Sequence, residues 1–139
     1  MKPKISPQEY RFILEALELS SISLIESSTR LKEENISKTL NIDINEKSAF
    51  EHKNNILFIN YLYKLQAKSP EIDEPAITIT VKYSVKYAVS KEVTIEKEFM
   101  KIFVDLTVSM LLWTYFREFV NNTVYRMGMP PLVLGLKRK

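Results

Sequence analysis

Hydrophobic and polar residues alternate over the longest regular stretch of the chain, from Ala76 to Lys91. The apolar side chains fall on every second position: Ile77, Ile79, Val81, Tyr83, Val85, Tyr87 and Val89. The residues between them are mostly threonine, serine and lysine, so one face is apolar and the other is polar. Alternation that is rich in β-branched and aromatic residues is typical of a β-strand with one buried face. We therefore predict a long amphipathic strand here.

Three earlier segments have the same period of two. One strand begins near Ile22, a second spans Thr39–Asn45, and a third spans Asn55–Lys68. The connections between them are short and polar, whereas parallel strands need crossovers of a dozen or more residues. We predict a mainly antiparallel sheet of four strands over residues 20–90. His52, between the second and third strands, is predicted to be a turn residue.

The N-terminal residues carry the pattern of a short helix over residues 6–18. Ser6 is the predicted N-cap, Pro7 suits the first helical position, and Glu9 completes a capping box. The apolar residues that follow have helical spacing: Tyr10, Ile13, Leu14 and Leu17. One side of this helix is therefore expected to pack on another element.

Helical periodicity returns over residues 94–127, after the sheet. We predict one helix over Thr94–Leu106 and a second over Ser109–Met127, which Gly128 ends as a C′ residue. The second helix is apolar around most of its circumference, with more apolar surface than one sheet can cover. This excess favours burial in a subunit interface.

These elements place the whole chain, 1–139, in one α+β domain with helices packed on one face of the sheet. An extended segment over 129–136 and a basic tail over 137–139 are expected to follow the helices.

The composition excludes several kinds of catalytic site. The chain has no cysteine, two glycines and one histidine. Thiolate metal sites, a cysteine nucleophile, glycine-rich phosphate loops and the usual zinc sites are therefore excluded. We predict a protein that is not an enzyme and that has no metal site and no cofactor.

The charge and the apolar stretches give no sign of nucleic-acid binding or of membrane insertion. The net charge is +3, and the whole excess lies in Lys137-Arg138-Lys139, a weak electrostatic footprint for a polyanion. The longest uncharged apolar stretch, Leu106–Phe116, has 11 residues, too few to span about 30 Å of hydrocarbon. No export signal is evident either. We expect a cytoplasmic protein.

Two sequence blocks in the C-terminal part suggest a family. The first is Trp113-Thr114-Tyr115-Phe116-Arg117-Glu118, and the second is Arg126-Met127-Gly128-Met129-Pro130-Pro131-Leu132. Together they resemble the SecB family of protein-export chaperones, and most closely the SecB-like branch found outside the export proteins. The resemblance covers about Leu19–Leu136. The chain departs from the family at Thr114 and Gly135, where the family usually has proline.

The resemblance implies a function and an assembly. It implies an ATP-independent holdase that binds non-native polypeptides in apolar grooves, either in protein export or as the dedicated chaperone of an antitoxin. It also implies a homotetramer built as a dimer of dimers, with helices packed between the dimers. Export-type members use acidic sheet residues to engage the motor SecA. Because this chain is not acidic, SecA is not an expected partner.

Two sets of site residues follow from the resemblance and the strand pattern. The predicted client-binding residues are Leu40, Ile42, Ile44, Tyr61, Tyr63, Tyr83 and Tyr87. The predicted structural and oligomer motif is Trp113, Tyr115, Phe116, Arg117, Glu118, Arg126, Gly128, Pro130, Pro131 and Leu132. Alternating apolar residues are ordinarily core, so each residue of the first set also has that simpler interpretation. Two other functions stay open: a small-molecule carrier with a pocket between sheet and helices, and nucleic-acid binding through the basic tail.

Overall fold

The structure, a computed structural model, describes residues 5–90 and 92–130. Its elements in chain order are α1 (Pro7–Glu15), β1 (Leu17–Leu31), a 3-10 turn (Glu33–Asn35), β2 (Asn41–Lys53), β3 (Ile56–Lys68), β4 (Ile77–Val89), α2 (Lys97–Phe103), a π-helical turn (Val104–Val108) and α3 (Ser109–Arg126). The predicted basic tail, Pro131, Leu132 and most of the predicted extended segment lie outside the described residues.

Helix α1 begins as the sequence predicts and ends earlier. The Ser6 side-chain oxygen accepts a hydrogen bond from the Glu9 backbone N–H at 3.1 Å, which satisfies one of the unpaired donors at the helix start. The helix ends at Glu15, because Leu17 already pairs with Val89 in the sheet. Leu17 fits the apolar period of a helix and of a strand equally well, and the sheet pairing decides between them.

The four strands form one antiparallel sheet in the order β1-β4-β3-β2. This confirms the predicted α+β fold with a four-stranded antiparallel sheet. Strands β3 and β4 are central, and β1 and β2 are the two edges. The connection that contains the 3-10 turn therefore carries the chain from one edge of the sheet to the other.

Strand β2 is longer than predicted and ends in a tight hairpin. It extends to Lys53, which pairs with Ile56 across a two-residue turn. Asn54 and Asn55 both have positive φ angles, 52° and 61°, as a type I′ hairpin turn requires. The prediction for His52 was wrong, because His52 lies within β2, where it is exposed and paired with Leu57.

The core lies between the central strands and the C-terminal helices. The apolar side chains of β3 and β4 that face the helices are buried: Leu57, Ile59, Tyr61, Tyr63, Leu65, Ala67, Ile77, Ile79, Val81, Tyr83, Val85, Tyr87 and Val89. From the helices come Phe99, Phe103, Leu112, Phe116, Val120 and Val124. The amphipathic strand predicted over 76–91 is β4, and its apolar face forms the floor of this core.

The two predicted C-terminal helices are one continuous helix, Lys97–Arg126, which we call the long helix. A π-helical turn at Val104–Val108 joins α2 to α3 without a break. There the Ser109 hydroxyl donates to the Asp105 carbonyl oxygen at 2.6 Å. The polar residues Thr107 and Ser109 suggest a break between two helices in the sequence, but the backbone stays helical through both of them.

The long helix has the length and composition of a membrane span, with 39% of its most apolar stretch buried inside the structure. The sequence prediction counted only the 11 uncharged residues Leu106–Phe116, whereas the whole helix also contains charged residues on both sides of that stretch. A core helix of a soluble protein passes the same test, and here one side of the helix covers the sheet.

Candidate binding grooves

The long helix is too narrow to cover the sheet. Four strands measure about 14 Å between the outer two, whereas one helix is about 10 Å wide. Side chains on β3 and β4 alternate between buried and exposed, but most of β1 and β2 is exposed. Each edge strand therefore forms an open groove with one side of the helix.

The first groove lies between β2 and the start of the long helix and encloses about 570 Å³. We call it the β2 groove. Its apolar surface comes from Phe50 on the strand and from Met100 and Val104 on the helix. Charged residues at its margins are Glu46, Lys97, Lys101 and Asp105. Phe50 is 38% exposed, so an apolar ring lies open to an incoming chain.

A buried tyrosine forms part of the floor of the β2 groove. The Tyr61 hydroxyl donates to Glu46 Oε1 at 2.5 Å, across the β2–β3 pair. Burial raises the pKa of Tyr61 far above its usual value, and the hydrogen bond and negative charge of Glu46 raise it further. Tyr61 therefore stays neutral at physiological pH and contributes a mostly apolar surface with one fixed donor.

The second groove lies between β1 and the end of the long helix and encloses about 770 Å³. We call it the β1 groove. Leu24 on the strand and Tyr115 on the helix are 50% and 46% exposed, and Phe119 and Met127 add apolar surface. Glu118 and Arg126 place one negative and one positive charge at its margin.

A cluster of aromatic rings separates the two grooves. The Tyr63 ring stacks on Phe116, with centroids 4.2 Å apart and planes 8° apart, and Trp113 lies 6.1 Å away. The Tyr83 ring contacts Tyr63 on one side and Tyr115 on the other, with ring centroids 6.2 and 6.3 Å apart, respectively. The cluster fixes the helix above the central strands and so sets the width of both grooves.

Burial also changes the acidity of these rings. Burial raises the pKa of Tyr83 to about 12, with help from the nearby Glu118 charge. Burial likewise raises the pKa of Tyr63, whose hydroxyl has no hydrogen-bond partner among the described residues.

The structure divides the predicted client-binding residues into two groups. Ile42 and Ile44 lie on the helix-facing side of edge strand β2, where Ile42 is 38% exposed, and half-buried Leu40 precedes them. The four tyrosines lie on the covered face of β3 and β4 and are buried. Tyr61 and Tyr83 contribute to the groove linings.

Tyr63 and Tyr87 cannot reach a client in this conformation. Tyr63 is enclosed by Phe116 and Trp113, and Tyr87 packs against Phe103 at 5.1 Å. In this conformation both residues have the simpler interpretation, core packing under the helix, and client contact at them stays a prediction.

Most residues of the predicted motif shape the helix and the β1 groove. Phe116 is fully buried, Trp113 and Arg117 are half-buried, and Tyr115, Glu118 and Arg126 line the β1 groove. Gly128 is the C′ residue of the helix, as predicted, and Pro130 is the last described residue of that segment.

Several groove residues were not among the predicted site residues. Phe50, Met100 and Val104 line the β2 groove, and Leu24 and Phe119 line the β1 groove. Phe50 is in phase with Ile42 and Ile44 on β2, but Glu46 and Ser48 occupy the positions between them. Because these two residues are polar, the alternation of apolar residues in the sequence of β2 stops at Ile44 and does not point to Phe50.

The fold has a clear counterpart among solved structures. The SecB-like chaperone Rv1957 of Mycobacterium tuberculosis, solved in complex with a ChAD peptide from the Rv1956 HigA1 antitoxin, superposes with a TM-score of 0.74. The alignment covers 91% of this chain and 95% of that one at 16% sequence identity. This chain has a SecB-like fold.

Other comparisons add little to the SecB-like assignment. A protein of unknown function from Streptococcus agalactiae aligns with 86% of this chain and 98% of its own, at 12% identity and a TM-score of 0.49. No protein-family profile matches the chain, and no curated protein matches it by sequence. The SecB-like fold therefore rests on three-dimensional similarity, together with the motif in the long helix.

Proposed function

We propose that the protein is a chaperone that holds non-native polypeptide segments in the β2 and β1 grooves without ATP. The observation that carries the proposal is the pair of open apolar grooves on a SecB-like fold. Removing exposed apolar side chains from water lowers the free energy when an unfolded client covers them, and this attraction is non-directional. Two shallow sites on one subunit can each bind weakly and still hold a long client through avidity.

The chemistry of the grooves supports binding rather than catalysis. Among the described residues there is no cluster of histidine, aspartate and glutamate that could hold a metal ion. The neutral tyrosines and the exposed Phe50 and Leu24 provide surface for apolar side chains. A holdase requires such apolar surface, whereas a hydrolase or transferase requires catalytic groups.

For the client, we propose an antitoxin or another partly folded protein rather than a SecA-delivered export substrate. The similarity to a chaperone solved with an antitoxin peptide supports this choice. The low acidity of the chain also supports it, since the resemblance attributes SecA binding to acidic sheet residues. We place this activity in the cytoplasm.

We also propose that the subunits assemble through the outer side of the long helix. Leu106, Met110 and Tyr125 are 50%, 43% and 74% exposed there, so this side of the helix presents apolar side chains to solvent. A symmetric interface built on this side would cover it. The double variant Leu106→Glu/Met110→Glu should then sediment as a smaller species than the wild type.

Aggregation of a chemically unfolded client, followed by light scattering after dilution, tests the function. We expect the protein to suppress scattering at stoichiometric amounts without nucleotide. Phe50→Ser/Leu24→Ser should lose most of this effect, and Ile56→Ser, an exposed apolar residue of β3 that lines neither groove, should lose little of it. Scattering that is unaffected by the wild-type protein would contradict the proposal.

A further inference from the structure

The face of the sheet opposite the helix is polar, and no described helix packs on it. Every second residue of β2, β3 and β4 points to this side, as the strand pairing shows. In β1, two register shifts interrupt the alternation, and Glu18, Glu26 and Arg30 are among the residues on this side. The basic residues on it are Arg30, Lys47, Lys53, Lys64, Lys68, Lys82 and Lys86, and the acidic ones are Glu18, Glu26, Asp43 and Glu51. The face therefore has an excess of positive charge, although the whole chain without its last three residues is neutral.

The central strands carry charge of one sign on this face, whereas the edge strands carry both signs. The central strands contribute only lysines: Lys64 and Lys68 from β3, and Lys82 and Lys86 from β4. All four carboxylates lie on the edge strands, two on β1 and two on β2. A basic region two strands wide thus runs along the middle of the sheet, and we call it the lysine stripe.

The lysine stripe also presents apolar surface. Leu62 lies beside Lys82 in the β3–β4 pairing, and Phe58 lies beside Lys86. The Lys86 ammonium group is 5.7 Å from the centre of the Phe58 ring. Both apolar side chains are half-buried. From Lys68 to Phe58 the stripe is about 33 Å long, the length of about ten residues of extended chain.

Among the described residues, a salt bridge joins Lys32 to Glu74, and it involves no lysine of the stripe. Glu26 lies directly across from Lys82 but forms no salt bridge with it. Four like charges on neighbouring strands repel each other, and carboxylates from outside the chain would relieve that repulsion.

We propose that the lysine stripe docks an acidic, extended segment of a partner protein. An extended segment places alternate side chains on one side about 7 Å apart, so a row of carboxylates can follow the stripe. A short segment fits along the stripe, between edge strands that carry all the carboxylates of this face. A long polyanion that crossed the sheet would meet Glu26 and Glu51 as well as the basic residues of the edge strands, so the uniform positive charge of the stripe favours a short segment that follows it.

The test measures binding of a fluorescein-labelled peptide of alternating glutamate and serine, twelve residues long, by fluorescence anisotropy. The peptide has no apolar side chain for the two grooves. We expect binding at low salt that weakens strongly near physiological ionic strength, because added salt screens exposed charges. The double variant Lys64→Glu/Lys86→Glu should bind about tenfold more weakly, because these reversals place repulsion where attraction had been.

A matched control separates the stripe from net charge. Arg11→Glu/Lys38→Glu changes the net charge by the same amount at exposed positions outside the stripe and should leave peptide affinity within about twofold. Thermal unfolding would show whether each variant folds, and Lys64→Gln/Lys86→Gln replaces the charge reversal if it does not. The neutral variant should also bind more weakly.

Three results would overturn the proposal. The first is no peptide binding at low salt, and the second is equal loss of affinity in the control. The third is a stripe-dependent interaction with oligothymidine or with phosphatidylserine vesicles while the peptide does not bind. All three leave the grooves on the other face untouched, so failure here is distinguishable from failure of the chaperone proposal.

Discussion

The tyrosines beneath the long helix are held neutral by their surroundings. Burial raises the pKa of Tyr61, Tyr63, Tyr83 and Tyr87 above 10, because the ionised phenolate would lose its hydration. In the unfolded chain these tyrosines ionise near pH 10. The folded protein therefore binds more protons than the unfolded chain above that pH.

This difference predicts alkaline instability. The contribution of Tyr83 to stability is fully present below pH 10 and is lost as the pH rises toward about 12. The free energy of unfolding, measured by urea titration at pH 9 and pH 11, should be lower at the higher pH. The ultraviolet absorbance of ionised tyrosine should show that some tyrosines of the folded protein ionise only well above pH 10. Titration of all the tyrosines near pH 10 without unfolding would contradict the buried cluster.

Gly128 is required by the way the long helix ends. Its φ angle is +77°, its N–H donates to the Tyr125 carbonyl, and the Met129 N–H donates to the Val124 carbonyl. This pair of bonds is a Schellman motif. A methyl group on Gly128 would meet nothing within 4 Å, so the requirement is conformational rather than steric.

The variant Gly128→Ala should lower the free energy of unfolding by about 1 kcal/mol, the cost of a left-handed conformation for an L-residue. Gly128→Asn should cost less, since asparagine tolerates that conformation better. Urea denaturation measures both. Equal stability of Gly128→Ala and the wild type would mean that the helix ends differently.

The stacked pair of Tyr63 and Phe116 anchors the helix to the sheet. Because Phe116 is fully buried, Phe116→Ala should lower the free energy of unfolding by about 3–5 kcal/mol. Asn122→Ala, at an exposed position of the same helix outside the proposed interface, should change it by about 0.5 kcal/mol or less. Similar losses for the two variants in denaturant titrations would contradict the packing of Phe116 against Tyr63.

At the scale of elements, the sequence predicts what periodicity alone determines. The alternation in β4 and the capping residues of α1 suffice to place those elements, because each depends on local chemistry. The end of α1 and the length of β2 depend on pairing with distant strands, so Leu17 and Phe50 could not be placed from their neighbours. The grooves depend on where the helix crosses the sheet, which no local pattern specifies.

The β2–β3 hairpin offers a test at this scale. Both Asn54 and Asn55 have positive φ angles, which glycine adopts without strain. We expect Asn55→Gly to leave stability unchanged or to raise it by up to about 0.5 kcal/mol, and Asn55→Val to lower it by about 1 kcal/mol or more. Thermal melts of the two variants should therefore move apart, and coincident melts would contradict the type I′ turn.

At the scale of the whole molecule, the two faces of the sheet differ in chemistry. The helix-bearing face has apolar grooves along both edges, and the opposite face has a central basic stripe. We infer that the first holds apolar client segments and that the second docks an acidic partner. The two activities would not compete for the same surface.

Site-specific crosslinking tests the central claim most directly. Benzoylphenylalanine would replace Phe50 in the β2 groove, Leu24 in the β1 groove, or Asn60 on the opposite face of the sheet, in three separate proteins. We predict that the two groove positions crosslink to an unfolded client on irradiation and not to the same client when folded, and that position 60 gives little product. Equal crosslinking at all three positions, or none at the grooves, would contradict the proposal that the grooves hold the client.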